Sequence, residues 1–322
     1  MKHNTRITVL LIMMFLVTQL IGLLIISIYN KSENNLPFGL QPPETISQDF
    51  SIFSILIGFL IAIGLLYILT KINAEKFIRF WFFIVTALAI GIVFKAIFLL
   101  FNLKDIFIIT SNLSFLFSKI SIISIIAFII GIFLAYFKIY NRNLLVHNFT
   151  ELIIYPGIAS VFIPILNEIG IIILLLAISM YDIWAVWKSQ FMQKMAKYQI
   201  ENLKFFTGFF VPYADKKQKL KIKNIKEKYK NKDSKFLEKK FRQAKIKISL
   251  AILGGGDIVF PIITAGVFYR LYNPFAALII IFCATISLLG LFIFAKKGKF
   301  YPAMPFLTIG LYTGMIINWL IF

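Results

Sequence analysis

The chain has 322 residues, of which 60% are hydrophobic and 36 are Phe, with a mean hydropathy of +0.86. No water-soluble core needs that much apolar surface, so the soluble enzyme and binding-domain classes are excluded. The formal net charge of +20 then reads as membrane topology and attraction to anionic lipid at the cytoplasmic face, with no nucleic-acid partner.

Apolar runs of roughly the 20 residues needed to span a bilayer recur near 7–29, 50–70, 78–101, 117–137, 144–166, 169–187, 248–270, 275–295 and 301–321. The expected fold is an all-α polytopic membrane protein with nine transmembrane helices. Helices one to six fall in 1–187, a cytoplasmic amphipathic and Lys-rich loop in 188–247, and helices seven to nine in 248–322. Pro156, Pro164, Asn167 and Glu168 divide the fifth run from the sixth, and Ile106 to Leu116 is apolar but too short to span. The first run is too long for a signal-peptide core and no A-x-A site closes it, so it is read as a membrane helix.

Basic residues alternate between connections, as the excess of Lys and Arg in cytoplasmic loops requires. Lys2, Arg6, Lys71, Lys76, Arg79, Lys138, Arg142, Lys296, Lys297 and Lys299 fall on the amino-terminal side, together with 19 basic residues between Lys188 and Lys247. Lys31, Lys104 and Arg270 fall opposite, and Lys95 and Lys119 sit near outer helix ends, where long stems snorkel to headgroups. This pattern predicts a multi-pass protein of the cell membrane with a cytoplasmic amino terminus and an extracytoplasmic carboxyl terminus. Within the long connection, Met192, Met195, Leu203, Phe206 and Phe210 are expected to line one face of an interfacial helix ending near Pro212.

Asp182, after Tyr181, and Asp257, after Gly254, Gly255 and Gly256, read as the carboxylates lying deep inside the apolar runs. An aspartate at a helix centre costs roughly 2.5 to 3.5 kcal/mol on insertion scales, and such residues are functional by default. At about 1.5 Å per helical residue, their places near Lys188 and Lys247 put them roughly 9 and 15 Å from the cytoplasmic ends of two antiparallel helices. Three glycines in a row cost about 0.8 to 1.0 kcal/mol each against Ala in a helix, so they point to close approach or to backbone exposed beside a substrate. Cys283 is alone and only His3 and His147 are present, which excludes a disulfide framework and argues against intramembrane zinc and rhomboid-type serine chemistry. What remains is a carboxylate pair sharing one proton, a proton- or cation-coupled transporter or channel with a broken helix, or a catalytically silent membrane protein that binds peptide or lipid.

Taken with Pro302-Ala303-Met304-Pro305, these segments resemble the presenilin and signal peptide peptidase family of intramembrane aspartyl proteases, in its archaeal branch. That family carries Tyr-Asp on its sixth helix, Gly-x-Gly-Asp on its seventh and Pro-Ala-Leu at the start of its ninth. Here Met304 stands where the leucine is usual. Gly-x-Gly-Asp also occurs in prepilin and preflagellin peptidases, which lack the ninth-helix motif and form the nearest alternative. The resemblance implies Asp182 and Asp257 as catalytic residues, with Tyr181, Gly254, Gly255, Gly256, Pro302, Ala303 and Met304 shaping the cleft. It implies no cofactor and no metal, and single-span membrane proteins or signal peptides as substrates.

Overall fold

The computed structural model describes residues 5–31, 48–101, 107–109, 120–141, 143–189, 198–203, 206–213, 249–295 and 301–322, with isolated positions between 194 and 227. Among these residues run nine α-helices: α1 (Thr5–Lys31), α2 (Gln48–Lys71), α3 (Glu75–Leu100), α4 (Ile122–Tyr140), α5 (Leu144–Phe162), α6 (Glu168–Ile183), α7 (Gly255–Leu271), α8 (Pro274–Phe294) and α9 (Met304–Ile321). The polar residue before several of them is the start signal. Asn143, Asn167 and Asn273 accept from the amides of Leu145, Gly170 and Ala276, which removes one orphan donor at each helix start.

Seven helices, α1, α3 to α6, α8 and α9, are long and apolar enough to cross a membrane. Among the described residues the expected count of nine is therefore met by nine helices, of which seven qualify as spans. In α2, 24 residues long, the described residues include an apolar stretch from Leu60 to Lys71. In α7 the shortfall has a local cause: the apolar run that begins at 248 opens as a strand and turns helical only at Gly255.

Two short antiparallel ribbons also depart from the all-α expectation. Phe107–Ile109 (β1) pairs with Ile120–Ser121 (β2), and Gly208–Tyr213 (β3) pairs with Ser249–Gly254 (β4). Phe206 and Phe210 therefore do not share an interfacial helix. The segment Gly208-Phe-Phe-Val-Pro-Tyr joins aromatic and β-branched residues to a Pro with no amide hydrogen, which favours a strand over a helix interior. Gly208 has φ +140, a conformation that side-chain-bearing residues rarely adopt. Met192 and nearly all of the Lys-rich stretch from 216 to 247 lie outside the described residues.

The packing centre is α7, which meets α1, α5, α6, α8 and α9 and buries every residue from Pro261 to Phe268. A helix apolar all round belongs at such a position. The outer helices are inverted relative to a soluble protein, with Leu60, Phe275, Phe282, Phe294, Ile309 and Leu320 exposed on the surface that faces lipid. Because lipid is as apolar as Leu, association between these helices rests on close packing and interhelical hydrogen bonds. Gly131 and Gly157 supply the closest packing, and a Cβ at either would stand 2.3 or 2.1 Å from a backbone carbonyl of α3, at Ala87 or Ala89. Asn318 on α9 donates to Ala276 O at 3.1 Å, and Tyr312 to Ile172 O at 2.8 Å.

Those glycines differ from Gly290, which has nothing within 4 Å of an added Cβ. Gly157→Ala and Gly131→Ala are expected to destabilise the protein in detergent by about 1–3 kcal/mol, the usual range for overpacking. Gly290→Ala should be neutral or slightly stabilising by helix propensity. Thermal unfolding of the three variants reads the difference, and equal midpoints would show that α3 is not so closely approached.

Candidate active site

Asp182 lies in the last turn of α6, three residues after Ser179 and just before a wider π-type turn over Trp184–Lys188. The carboxyl end of a helix is the wrong end for an anion. The start of α9 compensates. The Met304 amide donates to Asp182 Oδ2 at 3.0 Å, and the Ala303 amide offers a second backbone hydrogen bond to the same carboxylate. One turn back along α6 and one turn on along α9, the Ser179 and Thr308 hydroxyls lie 2.6 Å apart and hold α6 against α9. Asp182 is 3% exposed, and its Oδ1 has no hydrogen-bond partner among the described residues.

Asp257 occupies the third position of α7, whose preceding cap residue is Gly254. Its carboxylate reaches back to the Gly254 amide, as the acidic member of a capping box does, at the end of the helix dipole that favours negative charge. An added Cβ on Gly254 would meet Asp257 Oδ2 at 3.1 Å, and one on Gly255 would meet the Tyr155 hydroxyl at 2.9 Å. Gly256 is exposed, with nothing nearer than Phe260 at 3.8 Å. Each of the three glycines thus has a separate setting: one under the carboxylate, one under Tyr155 and one on the open side.

The structure brings the three motifs together. Helix α6 packs against both α7 and α9, and the two aspartates are near enough to interact electrostatically. Tyr181 is half-buried beside Trp184, with ring centroids 6.3 Å apart. Pro302 and Met304 are buried and Ala303 half-buried. The depth expected for Asp257 assumed helix back to 248 and is corrected: the strand Ser249–Gly254 precedes it, so Asp257 stands in a first turn at the end of a ribbon. Among the described residues no group of three His, Cys, Asp or Glu is arranged to hold a metal ion.

Three residues of the site were not singled out in the sequence. Gln19 on α1 donates to Ile258 O at 3.0 Å, beside the point where Pro261 removes the amide that would bond to the Asp257 carbonyl. Tyr155 on α5 covers Gly255. Glu151, one turn before it, is 1% exposed inside a candidate span, so the two aspartates are not the only carboxylates deep in the apolar runs. The spacing of His147, Glu151 and Tyr155 by four was the available signal, since it places all three on one helix face.

Residues 12–322 match the family model described as signal-peptide peptidase, presenilin aspartyl protease. Two solved structures, of a presenilin family intramembrane aspartate protease in a C222 and in a P2 crystal form, superpose on the chain with a TM-score of 0.56 each. The first is 14% identical and covers 98% of this chain and 99% of that one; the second is 16% identical and covers 97% of each. No curated protein matches the chain.

Since Met304 serves Asp182 through its backbone amide, its side chain is replaceable. Met304→Leu conserves volume, costs under about 1.5 kcal/mol and should lower peptide cleavage by less than about tenfold. Pro302→Ala is expected to do more damage, because it frees the backbone at the entry to α9 and adds an amide hydrogen. Cleavage at equal folded protein compares them, and full activity in Pro302→Ala would reduce this segment to packing.

Proposed function

We propose that this chain, which belongs to the signal-peptide peptidase and presenilin family of aspartyl proteases, hydrolyses peptide bonds within the bilayer by the dyad Asp182 and Asp257. It is a multi-pass intramembrane aspartyl protease by that membership, which sets aside the prepilin-peptidase and transporter readings. The observation that carries the dyad is the convergence of two aspartates from separate helices, each beside the backbone amides of a helix start, with Asp257 within the field of Asp182.

Two carboxylates so placed in a poorly solvated site share one proton and titrate as a unit. The ionised member takes a proton from water as the water oxygen attacks the scissile carbonyl carbon. The protonated member gives its proton to the carbonyl oxygen, and a neutral gem-diol forms. Collapse of the gem-diol breaks the C–N bond, with a proton passed to the leaving nitrogen and the shared proton restored. Gly256, open and exposed, borders the space a substrate backbone would enter.

The substrates are transmembrane segments of single-span proteins or signal peptides, unwound near the cut so that an extended backbone reaches the carboxylates. The basic residues support all nine helices as spans, a cytoplasmic amino terminus, a cytoplasmic loop over 188–247 and an extracytoplasmic carboxyl terminus. Substrate helices with their amino end outside then run in the favoured direction. The same loop, with 19 basic and 5 acidic residues between Lys188 and Lys247, attracts anionic lipid.

Asp182→Asn and Asp257→Asn should each abolish cleavage of a labelled single-span substrate while leaving the protein folded in the membrane. The parent enzyme should show a bell-shaped pH dependence in kcat/KM, since activity needs one carboxyl charged and one neutral. Chelators should have no effect. Cleavage surviving in either Asn variant, or a flat profile through the acid range, would remove the dyad.

A further inference from the structure

His147, Glu151 and Tyr155 form, with Lys138 of α4, a buried polar cluster that the proposed chemistry leaves unused. Lys138 Nζ and the Tyr155 hydroxyl both donate to the Glu151 carboxylate, and His147 Nε2 lies 3.7 Å from it. All four residues are buried, at most 5% exposed. An ion pair buried at this depth is weak evidence for stability, because desolvation offsets much of the attraction. Its contacts point elsewhere.

They point to β3. His147 Nε2 is 2.9 Å from the Gly208 carbonyl, and since a carbonyl only accepts, Nε2 carries the hydrogen. The neighbouring Asn148 donates to Phe210 O at 3.1 Å and accepts from Phe210 N at 3.3 Å. Backbone groups alternate in direction along a strand, so Gly208 and Phe210 face α5 while Phe209, Val211 and Tyr213 face β4. Their partners there are Leu253, Ala251 and Ser249. A slip of one residue would reverse every one of these directions. Helix α5 therefore holds the outer edge of β3 in one register, with His147 at the end where Gly208 pairs with Gly254. Beside that end, the Tyr155 ring lies over Gly255, two residues before Asp257, and meets Phe209 edge-on at 6.0 Å between centroids.

We propose that His147 and Tyr155, oriented by Glu151 and Lys138, are positioning residues that fix the register of β3 on β4 and the first turn of α7, and through them the Asp257 carboxylate. The inference rests on Asp257 being catalytic. The residues act through backbone, and none touches the reacting atoms. A displacement of 1 Å at a catalytic group is enough to cost about 100-fold in rate, so a small loosening of the ribbon end has a visible effect.

Four variants test it at equal folded protein in detergent: His147→Ala, His147→Gln, Tyr155→Phe and Asp257→Asn. Gln can place an amide nitrogen near the Nε2 position, and Phe keeps the ring over Gly255 while removing only the hydroxyl held by Glu151. The readouts are kcat and KM on a labelled single-span substrate, affinity for a hydroxyl-bearing mimic of the gem-diol, and hydrogen exchange of the peptide 249–257. His147→Ala should lower kcat about tenfold or more, with KM within threefold. It should weaken the gem-diol mimic by a similar factor and speed exchange in 249–257. Tyr155→Phe should move all three in the same direction, and His147→Gln should recover most of the loss. Parent-like kcat and exchange in both His147→Ala and Tyr155→Phe, beside a dead Asp257→Asn, would overturn the positioning role and leave the dyad standing. A loss confined to thermal stability, with kcat per folded molecule unchanged, would overturn it equally. Should Asp257→Asn still cleave, the dyad fails, and the exchange of 249–257 decides the clamp alone.

Discussion

A carboxylate inside a membrane must be given hydrogen-bond donors by the protein, and the rest of this structure is arranged around that requirement. Among the described residues no side-chain cation forms an ion pair with either aspartate. Asp182 takes its donors from the amides that begin α9, and Asp257 from the cap residue of its own helix. The amino end of a helix presents unsatisfied N–H groups and the favourable end of the dipole together. Two such ends, from α7 and α9, must therefore come to the same depth as the end of α6. That meeting sets α6 antiparallel to both α7 and α9, in keeping with the contacts among them.

The second consequence concerns what lies between. To place a helix start inside the apolar layer, the chain must run there in some other conformation, and irregular backbone is tolerated at membrane depth only where protein satisfies it. Strand β4 meets that condition by pairing with β3, whose outer edge is in turn occupied by His147 and Asn148. The buried Lys138–Glu151 pair becomes intelligible in this setting. It neutralises and orients the groups that face the ribbon, at a depth where an unpaired polar atom costs several kcal/mol.

Much of this was legible in the sequence because helical length and motif chemistry are local. Each of the nine apolar runs overlaps one of the nine described helices, and Tyr181-Asp182, Gly254 to Asp257 and Pro302 to Pro305 meet at one site. The ribbon was not legible. Ser249 to Gly254 continues directly into the apolar run of α7, and a short apolar stretch does not reveal by periodicity whether it is strand or helix. Its partner, Gly208 to Tyr213, lies some forty residues away across a Lys-rich segment, so the pairing that decides its conformation is long-range. Glu151 was missed for a related reason. It lies within the apolar run 144–166, and its counter-ion stands on α4.

The shortness of α7 then has a physical meaning. Its 17 residues rise only about 25 Å at 1.5 Å each, less than the roughly 30 Å of hydrocarbon. A helix that began at 248 would span comfortably, but it would bury Asp257 in its third turn, where each backbone amide is already bonded within the helix and none is left to meet a carboxylate. The glycine run moves the start to Gly255 and so converts Asp257 from a mid-helix residue into one at a helix amino end. The same move shortens the span and requires a strand to fill the remaining depth. Strand, glycine run and short helix are thus three parts of a single solution, and the ribbon's support by α5 follows from them. What a membrane-spanning helix would ordinarily supply in length is here exchanged for a carboxylate set among free amides.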